Sequence, residues 1–290
     1  MILNSKIKTK IEKELDSEIV DSQSLSGGCI SNAYKIKTGV GEIYFLKYNS
    51  SVNNNMFMKE AHGLQELNKA CVIKIPDVIC YDEDYILLEQ IEAGIKQKNF
   101  SEDFGRKFAL LHNFTSEFYG FYEDNYIGSN PQINISQGNE KQDWTKFYFN
   151  KRILFQLYLA EETGNSTSEL RKAIAVLENK MDEIVVDNGE NPSLLHGDLW
   201  NGNYLINKKG FACLIDPAVY YGNREADLAM TKLFGGFDSK FYEAYNEAFP
   251  LPEGHEYREN IYKLYHVLNH LNLFGGGYYS QAMSLISFYI

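Results

Sequence analysis

At 290 residues, with 44% hydrophobic and 23% charged side chains, the chain is long enough to bury one large core or two modest ones. A net charge of -11 removes the counterion release that drives general nucleic-acid or anionic-membrane binding. Both are excluded as partners, while a local basic pocket for phosphates stays open.

Residues 1–18 mix Lys and Glu without the apolar core of a secretory signal. No apolar run reaches the roughly 18–20 residues that a bilayer requires. Cys29, Cys71, Cys80 and Cys213 lack metal-type spacing, and such scattered thiols fit a reducing cytoplasm. Triplets such as Asn113-Phe-Thr are therefore expected to be unmodified.

Leu3, Ile7, Ile11 and Leu15 recur every four residues behind Asn4 and Ser5, which predicts an opening amphipathic helix. Residues 19–25, 33–37 and 42–48 have strand character, and Gly-containing turns separate them into an antiparallel meander. Residues 56–67 read as a helix, with Phe57, Ala61, Leu64 and Leu67 on its apolar stripe and Glu60 beside them. Two further strands, 78–81 and 85–88, flank Asp82-Glu83-Asp84, a solvated tip that lacks the downstream Gly and Glu of a calcium loop. Residues 91–94 read as a hinge. From Ser101 onward the pattern is helical: Phe104, Phe108 and Leu111 share a face, and stretches follow over 144–159, 170–184, 224–234 and 256–274. Residues 121–142 are polar and read as a long ordered loop near a site. The expected class is α+β. Residues 1–91 form a small β-rich lobe with a helix, five antiparallel strands and one further helix, and 92–290 form a larger, mainly helical lobe.

The chemistry concentrates in residues 195–216. Asp198, Asn203 and Asp216 stand five and eighteen positions apart, the spacing of a kinase catalytic loop followed by its metal-binding aspartate. Phosphoryl transfer needs phosphates held, charge neutralised by Mg²⁺ and a nucleophile aligned with ATP. Asp198, at the tip of a strand–loop–strand, suits a general base or an orienting group for an attacking hydroxyl. Asn203 can supply a neutral oxygen to the cation and Asp216 a charged one, although an Asp before Pro217 can also simply cap a turn. Lys47 ends the third strand within reach of nucleotide phosphates, and Glu60 can pair with it. The segment Ser26-Gly27-Gly28-Cys29-Ile30-Ser31 is either a plain hairpin turn or an anion nest for those phosphates. No G-x-x-x-x-G-K-[ST] occurs, which removes P-loop enzymes. His196 is expected to hold the loop by backbone hydrogen bonds. Asp227, in the first turn of a helix, complements its dipole or bonds to the catalytic loop. His266 and His270 are spaced i, i+4 without a third ligand, so a structural or substrate-facing role is expected in place of zinc.

The blocks His-Gly-Asp-Leu-Trp-Asn-Gly-Asn (196–203) and Ile-Asp-Pro-Ala-Val-Tyr-Tyr-Gly-Asn-Arg-Glu-Ala-Asp-Leu-Ala-Met (215–230) closely resemble the fructosamine/ketosamine kinase family. So do Gly-Gly-Cys-Ile-Ser-Asn (27–32), Phe-Gly-Gly-Phe (234–237) and Leu-Asn-His-Leu-Asn-Leu-Phe-Gly-Gly-Gly-Tyr (268–278). The His-Gly-Asp loop alone is shared with aminoglycoside phosphotransferases and choline kinases. The resemblance implies a two-lobed protein-kinase-like fold and ATP/Mg²⁺-dependent phosphorylation of a ketosamine, typically at its 3-hydroxyl. The carrier amine is free or on a protein, and the phosphorylated adduct then falls apart, which amounts to deglycation. On this resemblance Asp198 is the proton acceptor, Asn203 and Asp216 are metal ligands, and Lys47 with Glu60 positions phosphate. Glu89, Gln90 and Ile91 form the hinge whose backbone meets adenine. The family's glycine loop often has a longer run of Gly than Gly27-Gly28.

Trp200, beside Asp198, is a candidate acceptor platform whose alternative is packing within its own loop. His270 is the companion substrate-facing candidate. Cys29, in a possible anion nest, would gain thiolate character and redox sensitivity unless it is a small buried residue. The competing functions are a small-molecule kinase of the aminoglycoside or choline type and a non-catalytic nucleotide-binding protein.

Overall fold

A computed structural model describes residues 3–25, 31–49, 55–186 and 189–290. The first helix, α1 (Ser5–Leu15), starts where the Asn4 side chain accepts from Lys6 N at 2.9 Å and ends at Asp16 in the left-handed region. It buries Ile7 and Ile11. Three antiparallel strands follow, β1 (Ile19–Leu25), β2 (Asn32–Thr38) and β3 (Ile43–Tyr48), then α2 (Met56–Lys69), β4 (Val78–Asp82) and β5 (Tyr85–Glu89). The sheet order is β1-β2-β3-β5-β4. Its inner face, with Tyr34, Ile36, Leu46 and Leu87, closes on the apolar stripe of α1. The acidic tip between β4 and β5 is not simply solvated: Lys10 of α1 reaches Asp82 at 2.6 Å and Asp84 at 3.1 Å.

The helical part begins with α3 (Phe100–His112). The polar stretch over 121–142 contains a small hairpin, β6 (Asn125–Ile127) and β7 (Asn130–Gln132). Next come α4 (Trp144–Tyr148), a wide π-type turn over Phe149–Leu154, and α5 (Phe155–Glu162). The single helix expected over 170–184 is two, α6 (Ser168–Glu178) and α7 (Met181–Ile184). Then come β8 (Ser193–Leu195), β9 (Tyr204–Ile206), β10 (Ala212–Leu214) and β11 (Tyr220–Gly222). The chain ends in α8 (Glu225–Leu233), α9 (Ser239–Ala248), α10 (His255–Phe274) and α11 (Tyr278–Ser287). The core of this part is built around α10, with Ile261, Tyr262, Tyr265, Leu268 and Leu271 all buried.

By contact the chain divides into residues 1–98 with 205–216, and residues 99–204 with 217–290. The sequence boundary after residue 91 differs from this division, because the turn joining β9 and β10 packs with the first unit. Leu214 N donates to Lys74 O at 3.0 Å and Gly94 N to Ile206 O at 2.9 Å. Gly94 permits this approach, since a Cβ there would lie 2.2 Å from the Asn207 carbonyl oxygen.

Candidate active site

In the first unit, alternation along β3 sends Leu46 and Tyr48 into the core under α1 and Lys47 to the opposite face. There the largely buried Lys47 ammonium meets Glu60 of α2 at 2.8 Å and also pairs with Asp216, which follows β10. Burial opposes the Lys47 charge, but Asp216 and Glu60 outweigh it and hold its pKa well above the usual lysine value. Burial pushes the Glu60 carboxyl up against the pull of Lys47. Asp216 has a φ of 55°, a left-handed backbone that costs a non-glycine residue roughly 1–3 kcal/mol. Strain of that kind persists where the position of a side chain matters, and here it presents the carboxylate beside Lys47.

In the second unit, β8 pairs antiparallel with β11, Leu195 opposite Tyr220, and delivers the loop that follows. Asp227, in the first turn of α8, accepts from His196 N at 2.6 Å and from Gly197 N at 2.8 Å, and its Oδ2 also meets His112 Nε2 at 3.3 Å. Burial alone would raise the Asp227 pKa; His112 and the backbone donors lower it below the usual carboxylate value. Gly197 has a φ of 81°, and a Cβ there would lie 1.9 Å from the Ala218 carbonyl oxygen. His196 is fully buried, and its Nδ1 accepts from Asp198 N at 3.3 Å. Asn203 Nδ2 donates to the Asp198 carbonyl at 2.7 Å and to its carboxylate at 3.0 Å. That commits the amide nitrogen and leaves Oδ1 as the ligand end of Asn203.

Trp200 is 38% exposed. Its ring lies so close over Gly202 that a Cβ there would be 2.5 Å away, and it meets Phe234 edge-on at 5.9 Å. Phe234 in turn contacts His270 at 4.9 Å, and His270 contacts Tyr278 at 5.2 Å. The His270 ring donates from Nδ1 to His266 O at 2.7 Å, and burial lowers its pKa, so a neutral ring carries its acceptor on Nε2. Trp200 and His270 thus belong to one aromatic wall beside the loop of residues 196–203. Phe234 and Tyr278 are members the sequence reading did not single out; the glycines that follow Phe234 and precede Tyr278 were the available signal.

Gly27, Gly28 and Cys29 lie outside the described residues, so the anion nest and the thiol switch have no structural account. Ser31 directly precedes β2. Of the hinge residues, Glu89 is tied to Lys74 at 2.5 Å, Ile91 is buried, and the Gln90 side chain donates to Ile91 O at 3.0 Å. Among the described residues no group of three or more His, Cys, Asp or Glu side chains is arranged to hold a metal. Asp216 and Asn203 each carry an oxygen donor of the kind that Mg²⁺ prefers. No helix among the described residues is long and apolar enough to cross a membrane.

A family model described as fructosamine kinase matches residues 3–290. A chloroplastic protein-ribulosamine 3-kinase of Arabidopsis thaliana is 39% identical over 284 residues, covering 94% of this chain and 84% of that protein. The crystal structure of a putative fructosamine-3-kinase from Thermobifida fusca superposes with a TM-score of 0.87 at 30% identity, over 97% of each chain. An ADP-bound aminoglycoside phosphotransferase superposes with a TM-score of 0.62 at 14% identity, over 99% of this chain and 98% of that one. That last likeness shows the fold alone, which is that of the protein-kinase-like phosphotransferases.

Proposed function

This chain belongs to the fructosamine kinase family and is a phosphotransferase with an alcohol acceptor, and from that we propose that it transfers the terminal phosphoryl group of ATP to the 3-hydroxyl of a ketosamine. The observation that carries the reading is the joint presence of the Lys47–Glu60–Asp216 cluster and the Asp227-clamped loop bearing Asp198 and Asn203.

Glu60 fixes the Lys47 ammonium, which offers its charge to the nucleotide phosphates. Asp216 and Asn203 Oδ1 are the oxygens that would serve as protein ligands to Mg²⁺, which would supply charge neutralisation on the phosphate oxygens. Asp198, oriented by the Asn203 amide, accepts the hydrogen bond and then the proton of the acceptor hydroxyl. Trp200 and His270 line the acceptor side, the indole packing on the sugar chain and Nε2 accepting from a hydroxyl or the ammonium of the adduct. Glu89, Gln90 and Ile91 present backbone to adenine, with the Ile91 carbonyl already shared by Gln90. The phosphorylated adduct then decomposes and releases the amine, so the overall outcome is deglycation of a free amine or a protein lysine. Ribulosamines are the first acceptors to try, since that is the substrate named for the Arabidopsis relative.

The test is ADP release with ribulosamine, erythrulosamine and fructosamine adducts alongside kanamycin and choline, scored by kcat/KM. The expected result is turnover of ketosamines only, with Asp198→Asn lowering kcat by about 10²–10⁴-fold. Turnover of kanamycin or choline with none of any ketosamine would overturn the substrate assignment. An active Asp198→Asn would overturn the role of Asp198.

A further inference from the structure

Arg152 lies in the wide turn between α4 and α5 and is fully buried, yet among the described residues no carboxylate pairs with it. Its guanidinium sits 4.0 Å from the centroid of the Tyr220 ring, with Phe147 at 5.1 Å and Tyr265 at 5.4 Å. Nη1 donates to Ile133 O at 2.6 Å, Nη2 donates to Asn134 Oδ1 at 2.7 Å, and Nε has no partner. A buried cation without a counter-ion is costly, and aromatic faces return only part of that cost. Apolar packing would serve stability better, and π-type turns recur at functional sites.

The hydrogen bonds that leave Arg152 run in one direction. Asn134 Nδ2 donates to Asn125 Oδ1 at 2.8 Å, and Asn125 Nδ2 donates to Val219 O at 2.8 Å. Gln132 Nε2 donates to the same Asn125 Oδ1 at 2.8 Å and to Ala218 O at 2.9 Å, while its Oε1 accepts from Tyr265 at 2.8 Å. Ala218 N then donates to His196 O at 2.9 Å, and Gly197 packs directly on the Ala218 carbonyl. Asn125 and Gln132 must turn their NH₂ groups toward the Val219 and Ala218 carbonyls, which only accept. At the other end of the chain Arg152 only donates. Facing it, Asn134 presents oxygen inward and NH₂ outward, where it meets the Asn125 Oδ1 that the Val219 bond leaves as acceptor.

We infer that Arg152 is a positioning residue for the phosphotransfer, a donor-only anchor that fixes Asn134 and, through the Asn134–Asn125–Gln132 chain, holds residues 218–219 and the loop 196–198 in place. The inference rests on the reading of Asp198 as proton acceptor. Its purpose is placement of that carboxylate; Arg152 touches no reactant.

The experiment compares Arg152→Met, Arg152→Lys and Asn134→Asp for kcat, KM for ATP and urea midpoint. Arg152→Met is expected to lower kcat about 30-fold with KM for ATP within about twofold. Arg152→Lys, still donor-only, is expected to restore kcat to within about fivefold of the native protein. Asn134→Asp gives Arg152 a counter-ion but sets an oxygen against Asn125 Oδ1 in place of the donating NH₂, so the urea midpoint holds or rises while kcat falls at least about tenfold. That split is the deciding readout, and it stands even where Arg152→Met fails to fold. Native kcat in Asn134→Asp, or Lys no better than Met at position 152 among folded variants, overturns the inference. Activity in Asp198→Asn would instead strike the catalytic reading beneath it.

Discussion

His266 occupies the core side of α10, where burial, reinforced by His270, pushes its pKa down to about 3 against the usual 6.5. Its Nδ1 has no hydrogen-bond partner, so nothing there would welcome a proton. The folded state therefore refuses a proton that the unfolded chain accepts. Its contribution to stability is complete above pH 6.5 and is lost as the pH falls from there toward 3. At pH 5 the loss attributable to this one ring is about 2 kcal/mol. Urea denaturation of the native protein and of His266→Met at pH 7 and pH 5 measures it: the variant should lose about 2 kcal/mol less between the two. Parallel losses would assign the acid lability elsewhere, for instance to His112, which burial also lowers. At this scale the sequence offered the acids as candidates and said nothing of Arg152. Asp198, Asn203 and Asp216 stand out because their separations are those that phosphoryl transfer demands. A lone Arg flanked by Lys151 and Ile153 reads as a solvated charge, and only the rings that close over it from distant segments show otherwise.

Helices were legible where one face is apolar for several turns, as in α1, α2, α3 and α10, because burial of that stripe decides both the structure and its boundaries. The strands β8 and β11 were harder. Each has three residues, all buried, so neither shows alternation, and their partnership depends on residues about 25 positions apart. Yet this pair, with α8, is what aims the loop of residues 196–203. Asp227 spends both carboxylate oxygens on the backbone of residues 196 and 197, at the N-terminal turn of α8 where the helix dipole favours a negative charge. Asp227→Asn keeps the shape but has one accepting oxygen, so one buried N–H loses its partner. The expected cost is about 1–3 kcal/mol of unfolding free energy, read as a lower urea midpoint. With it should come a fall in kcat at unchanged KM for ATP, because Asp227 holds the acceptor-side loop and Lys47 does not depend on it. An equal rise in KM for ATP would show that α8 governs nucleotide binding as well.

For the whole molecule, the switch from period-two strands to helical periodicity near residue 91 was readable, and so was the class of chemistry. The placement of residues 205–216 with the first unit was not, because it rests on backbone bonds to Lys74 and Gly94, which have no signature in sequence. That placement has a thermodynamic consequence. It puts Asp216 beside Lys47 and Glu60, so the charged groups proposed to face the phosphates lie within one unit. A nucleotide held there stabilises the folded protein by linkage, independently of turnover: at a concentration about 100 times Kd the gain is about 2.7 kcal/mol. For a chain of this size that corresponds to a rise in Tm of about 4 °C. Asp198→Asn, inactive but with this cluster untouched, should show the full shift with Mg–ATP. Lys47→Met should lose most of it, because the phosphates then face Glu60 and Asp216 without the cation between them. Differential scanning calorimetry of the two variants with and without Mg–ATP separates binding from chemistry. A full shift in Lys47→Met would mean that nucleotide affinity is carried by other residues and that Lys47 acts only in the transfer step.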